Sequence, residues 1–191
     1  MSLDPTRGPT GVDDRPLALR LWSSTPIHGA RLADAERING PLAAAFRSLS
    51  DADFTRRTHY FGGRYENLYL ERHRIPEVAA VLATAERFAR AILGWDRGLR
   101  CGFWLNAQGP GQSTTPHNHD ENDELLSGVY YVQVPPDSGD LVLLDGWFRV
   151  HVTPAAGLML FFPPQLMHQV ETNRSGELRL SLAFNFGPAD D

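Results

Sequence analysis

Apolar residues change their spacing near residue 99, and the change divides the chain into two textures. Before it, two stretches are helical in period. Over 75–93, Val78, Val81, Leu82, Ala85, Phe88, Ala89 and Ile92 recur three and four residues apart, which gathers them on one helix face. Pro76 suits the first turn of that helix and Gly94 its end. The stretch 32–49 spaces Ala, Leu, Ile and Phe in the same way, but Gly40-Pro41 predicts a break or restart within it. Residues 17–21 alternate and predict an edge strand. The polar, aromatic, glycine-punctuated stretch 51–71 predicts a loop with short extended pieces, and the Pro-, Gly- and Asp-rich residues 1–16 predict a flexible arm.

After residue 99 the period falls to two. Segments 101–106, 126–134, 140–144, 148–152, 158–162 and 178–186 read as strands separated by Gly, Pro, Asn and Asp. Short strands in close succession behind a helical half imply a β-sandwich or barrel with helices on one face. The expected organisation is one domain over 17–191, with helical support and edge strands over 17–99 and a β core over 100–187.

Composition narrows the function. A chain of 191 residues is long enough for one real core. Its net charge of −5 repels phosphate backbones, so no nucleic-acid partner is expected. All 18 cationic side chains are arginine, which removes Schiff-base and P-loop lysine chemistry. Cys101 is the single cysteine, so neither an intramolecular disulfide nor a cysteine metal cluster can form. No apolar run nears the ~20 residues a membrane helix needs, and no signal-peptide pattern opens the chain. A soluble cytoplasmic protein is expected, with a homodimer plausible on general grounds.

Of the seven histidines, His117 and His119 stand two apart. On a strand, side chains at i and i+2 share a face, so two imidazoles could meet one metal ion. His168 follows the apolar run LMLFFPPQLM, on a segment that an antiparallel barrel could return beside the first. Three protein ligands with open positions describe a catalytic metal rather than a structural one. A His-x-His pair alone also occurs by chance in surface loops. His28, His59, His73 and His151 have no comparable partners in sequence. On the segment 178–186, Arg179, Ser181, Ala183 and Asn185 share one face by parity, and Leu180, Leu182, Phe184 and Phe186 share the other. The first face suits an inward pocket in which a guanidinium grips a carboxylate. An exposed barrel face carrying a salt bridge would show the same parity.

The stretch PHNHDENDELLSGVYYVQVPPDSGDLVLLD resembles the core of the 2-oxoglutarate/Fe(II)-dependent oxygenases of the prolyl-hydroxylase-like group. The stretch PAAGLMLFFPPQLMHQVETNRSGELRLSLAFNF is similar to that family's second signature, and Phe103-Trp104-Leu105-Asn106 to its Trp-x-Asn strand. The resemblance covers about residues 18–187. It implies a double-stranded β-helix (jelly-roll, cupin-like) core, mainly β with supporting helices. It also implies Fe(II), 2-oxoglutarate as cosubstrate and O2, with hydroxylation of a small organic substrate as the outcome.

Carried residue by residue, the resemblance makes His117 and His168 metal ligands. His119 stands where the wider superfamily places a carboxylate; it is taken as the third ligand, with Glu121 as the alternative. Arg179 would bind the distal carboxylate of the oxoacid beside Ser181, with Tyr131, or less favourably Tyr130, and Asn106 near it. For the tyrosine pair, the plainer expectation is that one packs in the core and the other faces water. Trp104, Trp147 and Phe148 are candidates for the substrate mouth, with core packing as the plainer alternative. Two other functions fit parts of the pattern. One is a cupin-like three-histidine dioxygenase that needs no oxoacid. The other is a β-sandwich binding module without a metal.

Overall fold

The computed structural model describes residues 17–19 by backbone, and 25–120 and 122–189 in full. The predicted arm over 1–16 and the alternative ligand Glu121 lie outside the described residues. Twelve strands are described: β1 (Leu17–Leu19), β2 (Ile27–Arg31), β3 (Arg56–Phe61), β4 (Arg64–Tyr69), β5 (Leu99–Gln108), β6 (Thr114–His117), β7 (Leu126–Gln133), β8 (Leu141–Asp145), β9 (Phe148–Val152), β10 (Leu158–Phe162), β11 (Met167–Val170) and β12 (Arg179–Pro188). Two helices, α1 (Ala35–Arg47) and α2 (Pro76–Leu93), precede β5 among strands β1–β4.

The strands form two antiparallel sheets. Eight lie in the order β1-β2-β10-β7-β12-β5-β4-β3 and four in the order β6-β11-β8-β9. From β5 onward the chain passes repeatedly between the sheets, which is the winding of a double-stranded β-helix. Parity along each strand then sorts side chains into two cores. Leu180, Leu182, Phe184 and Phe186 of β12 face outward and are buried with Val78, Val81, Leu82 and Ala85 of α2. Burying each such side chain contributes about 1.5–3 kcal/mol. Between the sheets, Tyr131, Leu141, Leu143, Val150, Leu160 and Phe162 form the second core.

Three features differ from the sequence reading, each for a local reason. Helix α1 runs unbroken through Gly40-Pro41. Pro41 is exposed and so is Arg37, whose carbonyl loses its partner, so water can satisfy that group. The stretch 51–71 is mainly a hairpin of β3 and β4, turned by Gly62 and Gly63 at positive φ of 57° and 80°. Strand β3 is a largely exposed sheet edge, so it lacks the alternation that marks a buried strand. Trp147 lies fully exposed between β8 and β9 with Phe148 beside it, so neither packs in the core nor lines the cavities described below.

Close packing leaves room for no side chain at two glycines. A Cβ on Gly128 would stand 2.7 Å from the Leu160 carbonyl oxygen, and Gly139 (φ 88°) meets the Glu171 carbonyl. No described helix is long and apolar enough to cross a membrane.

Candidate active site

The smaller sheet sets His117 and His168 directly opposite one another on β6 and β11. Their ring centres are 4.3 Å apart. Each ring is oriented by its own strand. His117 Nδ1 lies 2.8 Å from the Thr115 carbonyl oxygen, and His168 Nδ1 lies 2.9 Å from that of Leu166. A carbonyl only accepts, so each Nδ1 carries the proton and each Nε2 is left as a free donor atom.

His119 reaches the same point by another route. It lies beyond the end of β6, so strand parity does not place it. Its backbone N–H donates to the Pro164 carbonyl at 2.8 Å, and Trp104 packs edge-on against its ring at 5.4 Å. The His119 ring centre is 5.0 Å from His117 and 5.1 Å from His168. One nitrogen from each of the three rings lies within 4.8 Å of the others. Among the described residues this cluster contains no carboxylate.

Burial holds the His168 and His119 rings neutral. The His168 imidazole is pushed down to about 3, chiefly by desolvation and then by His117. The His119 imidazole is pushed down to about 4, by desolvation first and then by His117 and His59. Neutral imidazole is the metal-binding form. The donor set, with two rings preoriented and all three facing one point, therefore fits a divalent metal with coordination positions left open.

The support for His117 continues one layer back. Glu66 on β4 is buried and accepts from the Thr115 backbone N–H at 3.2 Å and the Thr115 hydroxyl at 3.3 Å. Arg64 donates to the Ser113 carbonyl at 2.9 Å and the Thr114 hydroxyl at 3.2 Å, and stands 3.9 Å from Glu66. The hairpin β3–β4 thus clamps β6, whose Thr115 carbonyl orients the His117 ring. Sequence reading missed Glu66, since a charged residue in a hairpin gives no sign of burial by a strand 49 positions away.

Across the cavity the larger sheet presents a row of polar groups. Ser181 on β12 pairs in register with Asn106 on β5 and with Tyr131 on β7, so the three stand side by side on the inner face. Arg179 enters from the same face and is only 2% exposed. Its Nη1 donates to the carbonyls of Ser138 and Gly139, and its guanidinium carbon lies 5.2 Å from the Tyr131 ring centre. It forms no ion pair with a carboxylate among the described residues. The Tyr131 hydroxyl is buried without a hydrogen bond. Desolvation raises that hydroxyl to about 12, so it remains protonated and able to donate.

One cavity of about 50 Å³ joins the two halves. Its wall includes the three histidines, Asn106, Tyr131, Arg179 and Ser181, together with the apolar Leu141, Phe162 and Val170. Tyr130 stays outside it: its hydroxyl donates to Asn39 on α1 at 2.6 Å. Both tyrosines are fully buried, so neither faces water. Asn185, on the Arg179 face, accepts from the Ser127 hydroxyl at 2.8 Å.

Comparison with known proteins follows the same lines. Residues 146–185 match a family model described as "Putative 2OG-Fe(II) oxygenase", where 2OG is 2-oxoglutarate. No curated protein matches the chain. Among solved structures, a Pseudomonas putida prolyl-4-hydroxylase aligns at 20% identity with a TM-score of 0.60, over 87% of this chain and 90% of that one. The alpha ketoglutarate dependent carbocyclase SnoK from nogalamycin biosynthesis aligns at 16% identity and a TM-score of 0.68, over 87% and 81%. The epimerase SnoN, in complex with Fe3+, alpha ketoglutarate and nogalamycin RO, aligns at 18% identity and a TM-score of 0.66, over 85% and 79%. The match over 146–185 contains His168, Arg179 and Ser181. The chain thus carries a 2OG-Fe(II) oxygenase signature at its C-terminal strands and the fold of those enzymes over most of its length.

Proposed function

We propose that this protein is a non-haem iron(II) oxygenase that couples oxidative decarboxylation of 2-oxoglutarate to hydroxylation of a small organic substrate. The observation that carries the reading is one cavity with a three-histidine cluster at one end and a buried arginine without a carboxylate ion pair at the other. An unpaired buried charge is unfavourable by several kcal/mol, and a dianionic ligand offsets it.

In this reading His117, His119 and His168 hold iron(II). When bound, iron with the oxoacid supplies the O2 activation and decarboxylation that side chains alone lack. Arg179 grips the distal carboxylate of 2-oxoglutarate, and the Tyr131 and Ser181 hydroxyls donate to it. Asn106 flanks the oxoacid from β5. Leu141, Phe162 and Val170 keep water from the inner cavity, which strengthens each of these contacts. Three neutral imidazoles leave the metal one charge more positive than a set of two histidines and a carboxylate, favouring a dianionic cosubstrate. A dioxygenase without an oxoacid supplies no ligand carboxylate to Arg179, and a metal-free binding module gives the three histidines no metal to hold.

Anaerobic equilibrium binding tests this. One Fe(II) per chain is expected, lost in His117→Ala and His168→Ala. Calorimetry should show 2-oxoglutarate binding that requires Fe(II). No oxoacid binding at saturating iron would sink the proposal.

A further inference from the structure

Beside the inner cavity lies a larger outer one of about 400 Å³, and Trp104, His117 and His119 belong to both walls. A space of this size above the candidate metal is where a substrate would lie. Its remaining wall is strongly polar and comes largely from two elements. Strand β3 contributes Arg56 and His59, and the segment after β6 contributes Asn118, Asn122 and Glu124.

Two charged groups of this wall form no ion pair among the described residues: Glu124, which is half-buried, and Arg56, which is exposed on β3. Glu124 Oε2 is buried and makes no hydrogen bond. A carboxylate oxygen removed from water calls for a donor. The Arg56 guanidinium lies 4.2 Å above the Tyr69 ring centre and forms no ion pair among the described residues. Its neighbours differ: Arg57 pairs with Asp51 at 2.5 Å, and Arg100, also in the wall, pairs with Asp123. Among the described residues the wall therefore presents Glu124, with one buried unbonded oxygen, and the exposed Arg56 on separate elements.

His59, exposed on β3, adds a hydrogen-bonding ring on the Arg56 side. Its backbone is left-handed, at φ 57°, a conformation uncommon for a residue with a side chain. Asn67 on β4 donates to its Nδ1 at 3.1 Å, with the Thr58 hydroxyl 3.0 Å away. With Nδ1 accepting, the proton sits on Nε2.

We infer that the substrate is a small zwitterion of the free amino acid class, its ammonium group taken by Glu124 and its carboxylate by Arg56 with His59. A ligand with only a carboxylate leaves the buried Glu124 oxygen without a donor, and one with only an ammonium leaves Arg56 to water. A residue inside a peptide has neither an α-ammonium nor an α-carboxylate group. The inference rests on the oxygenase reading, because it takes the outer cavity as the substrate compartment.

The test uses anaerobic protein loaded with Fe(II) and 2-oxoglutarate. Each free standard amino acid is titrated calorimetrically, followed by the N-acetyl and carboxamide derivatives of any that binds. At least one free amino acid should bind, and N-acetylation should weaken it by about thirtyfold or more, the scale of losing one partner of a buried charge pair. Glu124→Gln should narrow the gap between free and N-acetylated ligand, and Arg56→Gln the gap between acid and carboxamide. Both variants should retain 2-oxoglutarate affinity. If 2-oxoglutarate binds normally but no free amino acid does, or capped forms bind as tightly as free ones, the inference is overturned and the oxygenase reading stands. If 2-oxoglutarate itself does not bind, the underlying reading falls and the inference falls with it.

Discussion

Arg179→Ala separates ligand binding from folding. The wild-type side chain is almost wholly buried, donates through Nη1 to the Ser138 and Gly139 carbonyls, and has no carboxylate partner. Truncation leaves two carbonyls short of a donor, at about 1–3 kcal/mol each. It also removes an unpaired buried charge that costs several kcal/mol in the ligand-free state. The two effects oppose, so ligand-free stability should change little.

Oxoacid binding has no such offset. Losing one partner of a buried charge pair weakens binding by about 2–5 kcal/mol, at least roughly thirtyfold. At a concentration one hundred times the wild-type Kd, a ligand stabilises its protein by about 2.7 kcal/mol, and a thirtyfold weaker one by about 0.9 kcal/mol. Thermal melts with an inert divalent metal, with and without 2-oxoglutarate, read this directly. The oxoacid-induced rise in Tm should fall to about a third in Arg179→Ala, and Arg179→Lys should recover only part of it because an ammonium lacks the planar fork. An unchanged oxoacid-induced shift in Arg179→Ala would refute the assignment.

Other predictions address the metal end and the frame. Glu66→Gln should weaken metal binding by about 10–100-fold, the scale seen for outer-shell partners, while Glu71→Gln on the exposed surface should not; equilibrium competition with a chelator checks this. The pH dependence follows from burial of His168 and His119, whose imidazoles sit near 3 and 4 when folded against 6.5 when free. Between those values the unfolded chain binds more protons, so stability is full above pH 6.5 and is lost as pH falls. The slope is about 1.4 kcal/mol per pH unit for each ring. Urea midpoints of metal-free protein should drop from pH 7 to pH 5, and an unchanged midpoint would contradict this. Gly128→Ala should destabilise the fold by about 1–3 kcal/mol, because its Cβ would fall 2.4 Å from the Phe184 ring; denaturant unfolding measures it.

How much of this was legible in the chain depended on whether a signal was local. The parity of β12 separated Arg179, Ser181 and Ala183 from Leu180, Leu182, Phe184 and Phe186, and the structure turns the first set to the cavity and the second against the helices. That worked because strand period alone determines the side. His117 and His119 converge as their spacing suggested, but parity was the wrong reason for His119, which a backbone bond to Pro164 holds beyond the strand end. Strands β6 and β11 have four residues each, too few to show an alternation. Glu66 meets Thr115 49 positions away, and His59 shares a cavity wall with His117 and Asn118, so no local pattern marked either. The direction of Tyr130 toward Asn39 likewise required knowing where α1 docks.

The central claim is that one cavity holds iron(II) and 2-oxoglutarate together. Its most direct test is an anaerobic visible-absorption titration of the Fe(II)-loaded protein with 2-oxoglutarate. A weak charge-transfer band that saturates at one oxoacid per chain, and is lost in His168→Ala, is the predicted result. No band at saturating iron and oxoacid would contradict the account.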